Sequence, residues 1–321
     1  MAKQRLGRSG VRGSRRTVPL LAMAFALCAA RGEAQEFGRV EARVNYVYAT
    51  QFGFGGYDIG GLSVDVYSLP IGFTLDDVLG DWDLQVDIPV TYGSFRFRSI
   101  IVADTGETAF VRTKTNTLGV DPTLQLDVPI PWVPGLRVSP IGAFGFGTTF
   151  SSSASIERNG VKENLPADEN AFYTYQVGLS SVYRRDWRDF SFFFGNAFIY
   201  GGNATFDGGD DDAVEGYGTF QTGVEVRHPL GFRIADVIPD IGAFFVYHLF
   251  TPNLQFTGVE QTTIEVDQIF EVGGTIGVTE ASHISWLPGF INRAVNDFSV
   301  GVGYQTGQGL EGFRLTFGFP F

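Results

Sequence analysis

The chain has 321 residues, 42 of them Gly, 31 Phe and 12 Tyr, and a formal net charge of −12. That charge excludes nucleic acid as a partner, because lysine and arginine must displace counterions from phosphates for such binding. Beyond residue 34 no run of 18 or more apolar residues occurs, which excludes helical membrane spans.

Residues 1–34 read as an export signal: Lys3, Arg5, Arg8, Arg12, Arg15 and Arg16 precede an uncharged stretch from Thr17 to Ala30, with small residues at the candidate cleavage sites after Ala30 and Ala34. The stretch is shorter than the roughly 20 residues of a membrane-spanning helix, so removal is expected rather than anchoring. Cys28 raises the alternative of a lipoprotein, but Leu27 stands where that signal needs a small residue and the apolar stretch continues past the cysteine. The mature chain then contains no cysteine and no disulfide. It keeps 16 basic and 34 acidic groups, a balance of −18.

The mature part, 35–321, carries strict period-two patterns. In chain order, Trp82, Leu84, Val86, Ile88, Val90 and Tyr92 alternate with Asp83, Gln85, Asp87 and Thr91. Leu118, Val120, Leu124, Leu126, Val128 and Ile130 alternate with Asp121, Thr123, Gln125 and Asp127; Tyr173, Tyr175, Val177, Leu179 and Tyr183 stand against Thr174, Gln176, Ser180 and Arg184. Further on, Ile264, Val266, Phe270 and Val272 stand against Glu265, Asp267 and Glu271, and finally Phe313, Leu315, Phe317, Phe319 and Phe321 stand against Arg314, Thr316 and Gly318. A β-sandwich also alternates, but its strands run about 5–6 residues, whereas a tilted membrane-crossing strand needs about 9–11. With helices excluded, only a closed barrel satisfies every backbone group in lipid. The fold class is therefore all-β: a closed antiparallel up-and-down transmembrane β-barrel.

Twelve strands are expected, at about 38–50, 59–74, 81–97, 112–130, 136–150, 171–184, 187–200, 214–228, 240–250, 261–279, 297–305 and 312–321, with ten or fourteen as open alternatives. With both termini periplasmic, the long polar segments 98–111, 151–170, 201–213 and 251–260 become outer loops. A recurring turn, Trp132-Val133-Pro134-Gly135-Leu136, Pro229-Leu230-Gly231-Phe232 and Trp286-Leu287-Pro288-Gly289-Phe290, falls on the opposite side each time. Residues 284–295 read as a short interfacial helix. Pro89, Pro122 and Pro140 fall inside expected strands and imply bulges or displaced strand ends, since a ring without N–H forfeits a ladder bond.

A last strand ending on Phe321, with Phe319 and Phe317 at alternate positions, resembles the assembly signal of bacterial outer-membrane proteins. That resemblance implies the barrel assembly machinery and outer-membrane lipids as partners, and a Gram-negative outer membrane reached through the periplasm as location. A signal peptide leading almost at once into about twelve strands is similar to the solitary autotransporter-type barrels. Only Gln35 to Phe37 precede the first expected strand, so no passenger region is expected.

Three functions are weighed. The expected inward faces carry Glu41, Asp65, Asp83, Asp87, Asp121, Asp127, Glu225, Glu265, Asp267 and Glu271 against Arg43, Arg227 and Arg314. An open lumen so lined would pass small cationic or neutral solutes in preference to anions. The alternative is a plugged barrel whose charges pair across a narrow lumen, serving as a structural or surface-interaction protein. Hydrolysis is disfavoured: His228 and His283 fall near expected periplasmic turns and His248 near the outer end of an expected strand, and in His283-Ile284-Ser285 the following Trp286 and Leu287 replace the Asn-Gly of outer-membrane phospholipases. The run Asp207 to Asp212 lacks the spacing of a calcium loop, so it reads as solvated charge and no metal or cofactor is expected.

Overall fold

A computed structural model describes residues 54–60, 62–69, 71–102, 108–158, 161–165, 171–206, 215–233, 237–257, 263–281 and 299–317. The export signal, the expected strand at 38–50, the run Asp207 to Asp212, the expected helix at 284–295 and the third copy of the recurring turn lie outside the described residues. So do Glu41, Arg43, Phe319 and Phe321.

The described chain forms β1 (Phe54–Ile59), β2 (Leu62–Leu69), β3 (Gly72–Leu75), β4 (Asp83–Asp87), β5 (Val90–Val102), β6 (Thr108–Val120), β7 (Thr123–Pro129) and β8 (Leu136–Arg158). It continues with β9 (Val161–Leu165), β10 (Ala171–Trp187), β11 (Phe190–Thr205), β12 (Glu215–Pro229), β13 (Val237–Thr257), β14 (Thr263–Ala281), β15 (Ser299–Gly307) and β16 (Leu310–Phe317). Every pairing is antiparallel, and β8 pairs with β10 while β16 pairs with β1, so the sheet closes on itself.

Sixteen strands make only twelve staves: β9 folds back on β8, and β2–β3, β4–β5 and β6–β7 are each one stave, the last two divided at Pro89 and Pro122. β5 pairs β6 with Val90 opposite Val120, and β4 pairs β7 with Asp87 opposite Thr123, one continuous register across Ile88-Pro89 and Asp121-Pro122. Likewise Leu69 faces Val90 and Gly72 faces Asp87. The ladder therefore lapses where the rings lack N–H and resumes without a slip. Neighbouring bonds bridge the lapse: Ile88 N–H donates to the Ile71 carbonyl (2.6 Å), Asp121 N–H to Pro89 (3.3 Å) and Phe144 N–H to Pro122 (3.1 Å). Of the two expectations, bulges or displaced strand ends, the structure has strand ends at Pro89 and Pro122 and no bulge there. Pro140 stays inside β8, but the β7–β8 ladder passes from Gln125↔Ile141 to Val128↔Val138 with no pair between.

Much of the segments 98–111, 151–170 and 251–260, expected as loops, is strand. β5 and β6 pair out to Val102↔Thr108, β8 extends to Arg158 and folds back as β9, and β13 pairs β14 out to Thr257↔Thr263. Polar strands are stable there because water wets both faces beyond the membrane. The opposite rim carries tight turns, including both described copies of the recurring unit. Their glycines, Gly135 and Gly231, have φ of 89° and 72°, a conformation costly for residues with a Cβ.

Burial is inverted relative to a water-soluble protein. Phe313 is 64% exposed, Ile276 68% and Val272 59%, whereas Glu225 and Glu271 are 0% exposed. Along β16, Leu310, Gly312, Arg314 and Thr316 are buried while Glu311, Phe313 and Phe317 are exposed. A two-sheet sandwich would bury the apolar set instead. The apolar face therefore meets lipid, and Val272→Arg is expected to cost about 2–4 kcal/mol of stability if the site lies near the bilayer midplane. Urea titration in phospholipid vesicles measures it; an unchanged midpoint would count against lipid contact at β14.

Candidate functional site

The barrel interior is where chemistry-bearing side chains meet. At the long-hairpin rim it is apolar. Ile59 and Leu62 flank the β1–β2 turn, Leu310 follows the β15–β16 turn, and Val64, Val66, Phe95, Phe250, Val266 and Ile269 complete one buried cluster with Tyr57. These residues come from β1, β2, β5, β13, β14 and β16, a contiguous arc of the ring apart from β15.

Next along the staves lies a buried ionic network. Arg314 grips Glu271 with two bonds, Nε to Oε1 and Nη2 to Oε2, both 3.0 Å. Gln305 donates to Glu271 Oε2 at 2.8 Å, and His248 Nε2 lies 3.6 Å from that same oxygen. A second network follows: Arg227 donates from Nε to Glu225 Oε1 (2.8 Å) and from Nη2 to Oε2 (3.0 Å), and also to Ser299 Oγ (3.1 Å), while Thr275 donates to Glu225 Oε1 (2.7 Å). Paired, bidentate geometry is what makes burying these charges tolerable.

Both networks cross an intervening strand, and glycine opens the way. Glu271 on β14 reaches Arg314 on β16 over Gly303 of β15, where an added Cβ would overlap the Glu271 carboxylate. Glu225 on β12 reaches Thr275 on β14 over Gly242 of β13, where a Cβ would overlap Thr275 Oγ1. On the other side of the ring Thr174 of β10 donates to Asp121 (2.5 Å) over Gly145 of β8, with the same overlap.

Toward the short-turn rim the interior is more open. Arg137 Nη1 donates to Asp83 Oδ2 at 2.7 Å and lies 3.9 Å from Asp127 Oδ2. Asp127 also accepts from Gln125 (2.8 Å) and Ser139 (2.5 Å), and Asp87 accepts from Gln85 (2.7 Å). Arg184 and Arg227 both lie over the Phe193 ring, at 5.4 and 5.0 Å from its centroid. At the rim itself the Ser191 hydroxyl and, to a lesser degree, Arg184 hold the Asp186 carboxyl below the ordinary range.

Not every expected lumen residue lies there. Asp65 shares its strand face with exposed Tyr67 and Leu69 and forms an ion pair with Arg96, whereas Leu62, Val64 and Val66 occupy the inward positions of β2. The correction has a physical cause: this part of the lumen is itself apolar, so the charged face is the outer one. Glu265 is exposed near the tip of the β13–β14 hairpin, 3.4 Å from Asn253 Nδ2. Asp267 is half-buried, its backbone N–H donating to Gln308. Phe317 closes the described part of β16 on the outward face, its ring edge-on to Phe54. Sequence reasoning missed Arg137, Gln305 and the three glycines, placed Arg184 on a polar strand face without a role, and weighed His248 only as a catalytic base. Inward glycines beside charged inward neighbours were the available signal.

No family model matches the sequence, and no curated protein matches it. Among solved structures the chain is similar to the β domain of the Bordetella autotransporter BrkA, with 11% identity, TM-score 0.47, and coverage of 82% of this chain and 92% of that one. It is also similar to the transport unit of the autotransporter AIDA-I from Escherichia coli, with 13% identity, TM-score 0.42, and coverage of 83% and 88%. By its own strand pairing and surface, the chain is a closed, twelve-stave, antiparallel transmembrane β-barrel, similar to these autotransporter domains.

Proposed function

We propose that the chain is an outer-membrane barrel of a Gram-negative bacterium, exported through the periplasm and inserted by the barrel assembly machinery. In this reading it rests in a sealed state and works through the long hairpins it holds outside the cell. One observation carries the reading: the apolar cluster at the long-hairpin rim lies over ionic networks whose Glu271 and Glu225 have no exposed surface. Charges that line a wet pore keep hydration; these are spent on each other. Catalysis is no part of the proposal, since His248 is almost wholly buried and faces the Glu271 carboxylate.

A second reading, a cation-preferring channel for small solutes, is favoured by the short-turn mouth, where Asp83 and Asp127 keep 18–19% of their side-chain surface exposed. Conductance in planar bilayers separates the two. The sealed reading predicts no steady current from the native protein, and a current from the double variant Ile59→Gly with Phe250→Gly. That current should favour cations and lose selectivity with Asp83→Asn and Asp87→Asn. Steady cation-selective conductance of the unaltered protein would instead establish the channel.

A further inference from the structure

We propose that the outward face of the β5–β6 hairpin binds the phosphates of an anionic lipid headgroup, through Arg112 and Lys114 with Arg96 beside them. The inference rests on the outer-membrane reading above and adds to it a site and a ligand chemistry.

Height along the staves comes first. On β4 and β5 the outward residues run Leu84, Val86, Ile88, Val90 and Tyr92, and on β7 and β6 they run Leu126, Leu124, Val120 and Leu118. Tyr92 stands directly opposite Leu118, so both apolar runs end at one level. Four residues farther out, about 10 Å along a tilted strand, Arg96 stands opposite Lys114, and two positions on the backbone register sets Arg98 opposite exposed Arg112. That is the depth of headgroups just outside an aromatic girdle.

Charge comes second. Like charges directly opposite across an antiparallel pair are destabilising, yet two such pairs adjoin here in a chain whose formal charge is −12. Among the described residues internal compensation is slight. Asp65 pairs with Arg96, while among the described residues neither Arg112 nor Lys114, both exposed, forms an ion pair or side-chain hydrogen bond. The nearest described acid beyond them, Glu157, stands opposite Phe110 on one side and Lys162 on the other. A phosphate-bearing headgroup at this depth supplies the missing anion, and the apolar run below receives its acyl chains. Basic side chains near a charged membrane surface act in this way.

The test uses the intact barrel purified from membranes, with diphosphorylated lipid A, lipid A stripped of phosphate, and inorganic phosphate as probes in native mass spectrometry. The native protein should retain diphosphorylated lipid A at a concentration about tenfold below that needed by Arg112→Gln with Lys114→Gln. Lys162→Gln should bind as the native protein does, and heat-modifiable migration confirms that each variant is folded. Equal retention by native and double-variant barrels overturns the proposal, as does equal binding of both lipids or displacement by excess inorganic phosphate. Equal binding of both lipids leaves the membrane-barrel reading standing; binding of neither removes both.

Discussion

Arg314→Leu is expected to lower the unfolding free energy by about 3–5 kcal/mol, because it leaves the Glu271 carboxylate buried without its counter-charge. Glu271 has no exposed surface, and Arg314 supplies two of its bonds. Gln305 and His248 remain beside it, but neither brings a fixed positive charge. The pair as a whole is a different matter: two charges removed together also remove the desolvation they suffer. Glu271→Gln combined with Arg314→Leu should therefore recover most of the loss. Urea unfolding in vesicles, followed by tryptophan fluorescence, measures the cycle, and equal losses in single and double variants would show that Arg314 acts through packing alone.

Gly303→Val is expected to prevent stable assembly, whereas Gly274→Val on the neighbouring strand is expected to be nearly silent. At Gly303 a Cβ would occupy the space of the Glu271 carboxylate, so overpacking, typically about 1–3 kcal/mol, adds to the loss of the ion pair. Gly274 sits on the exposed face of β14, and the nearest atom to its added Cβ is the Gly242 carbonyl oxygen at 3.4 Å. Both strands lose the same entropic freedom and gain the same side chain, so the contrast isolates the crossing of charges over β15. Heat-modifiable migration of the two variants reports it; equal assembly would mean that Glu271 and Arg314 meet by another route.

Much of this barrel was legible from residue alternation, because period two is imposed on any strand with lipid on one side and polar groups on the other. The patterns at Leu118 to Val128 and at Phe313 to Phe317 place the same residues on one face in sequence and in structure. Alternation names two faces, however, and not which of them looks inward. On β2 the inward set Leu62, Val64 and Val66 is apolar and belongs to the buried rim cluster, and Asp65 lies outside beside Arg96, so polarity there points the wrong way. The interruptions at Pro89 and Pro122 were visible, but register is a property of neighbours, and only the pairing of β4 with β7 and β5 with β6 shows that it survives. Arg137 escaped because β8 alternates weakly, with Pro140, Gly142 and Gly145 among its positions. The glycine crossings escaped for the same reason: they join residues two strands apart, a distance no local pattern encodes.

Spin labels introduced singly at positions 299, 300, 302, 304 and 305 of β15, in the barrel reconstituted in phospholipid vesicles, test the central claim most directly. Collision with dissolved oxygen, which concentrates in hydrocarbon, should be high at Val300, Val302 and Tyr304 and low at Ser299 and Gln305. Uniform accessibility, or an alternation of the opposite phase, would contradict a closed cylinder with its apolar side chains in lipid and its charges within.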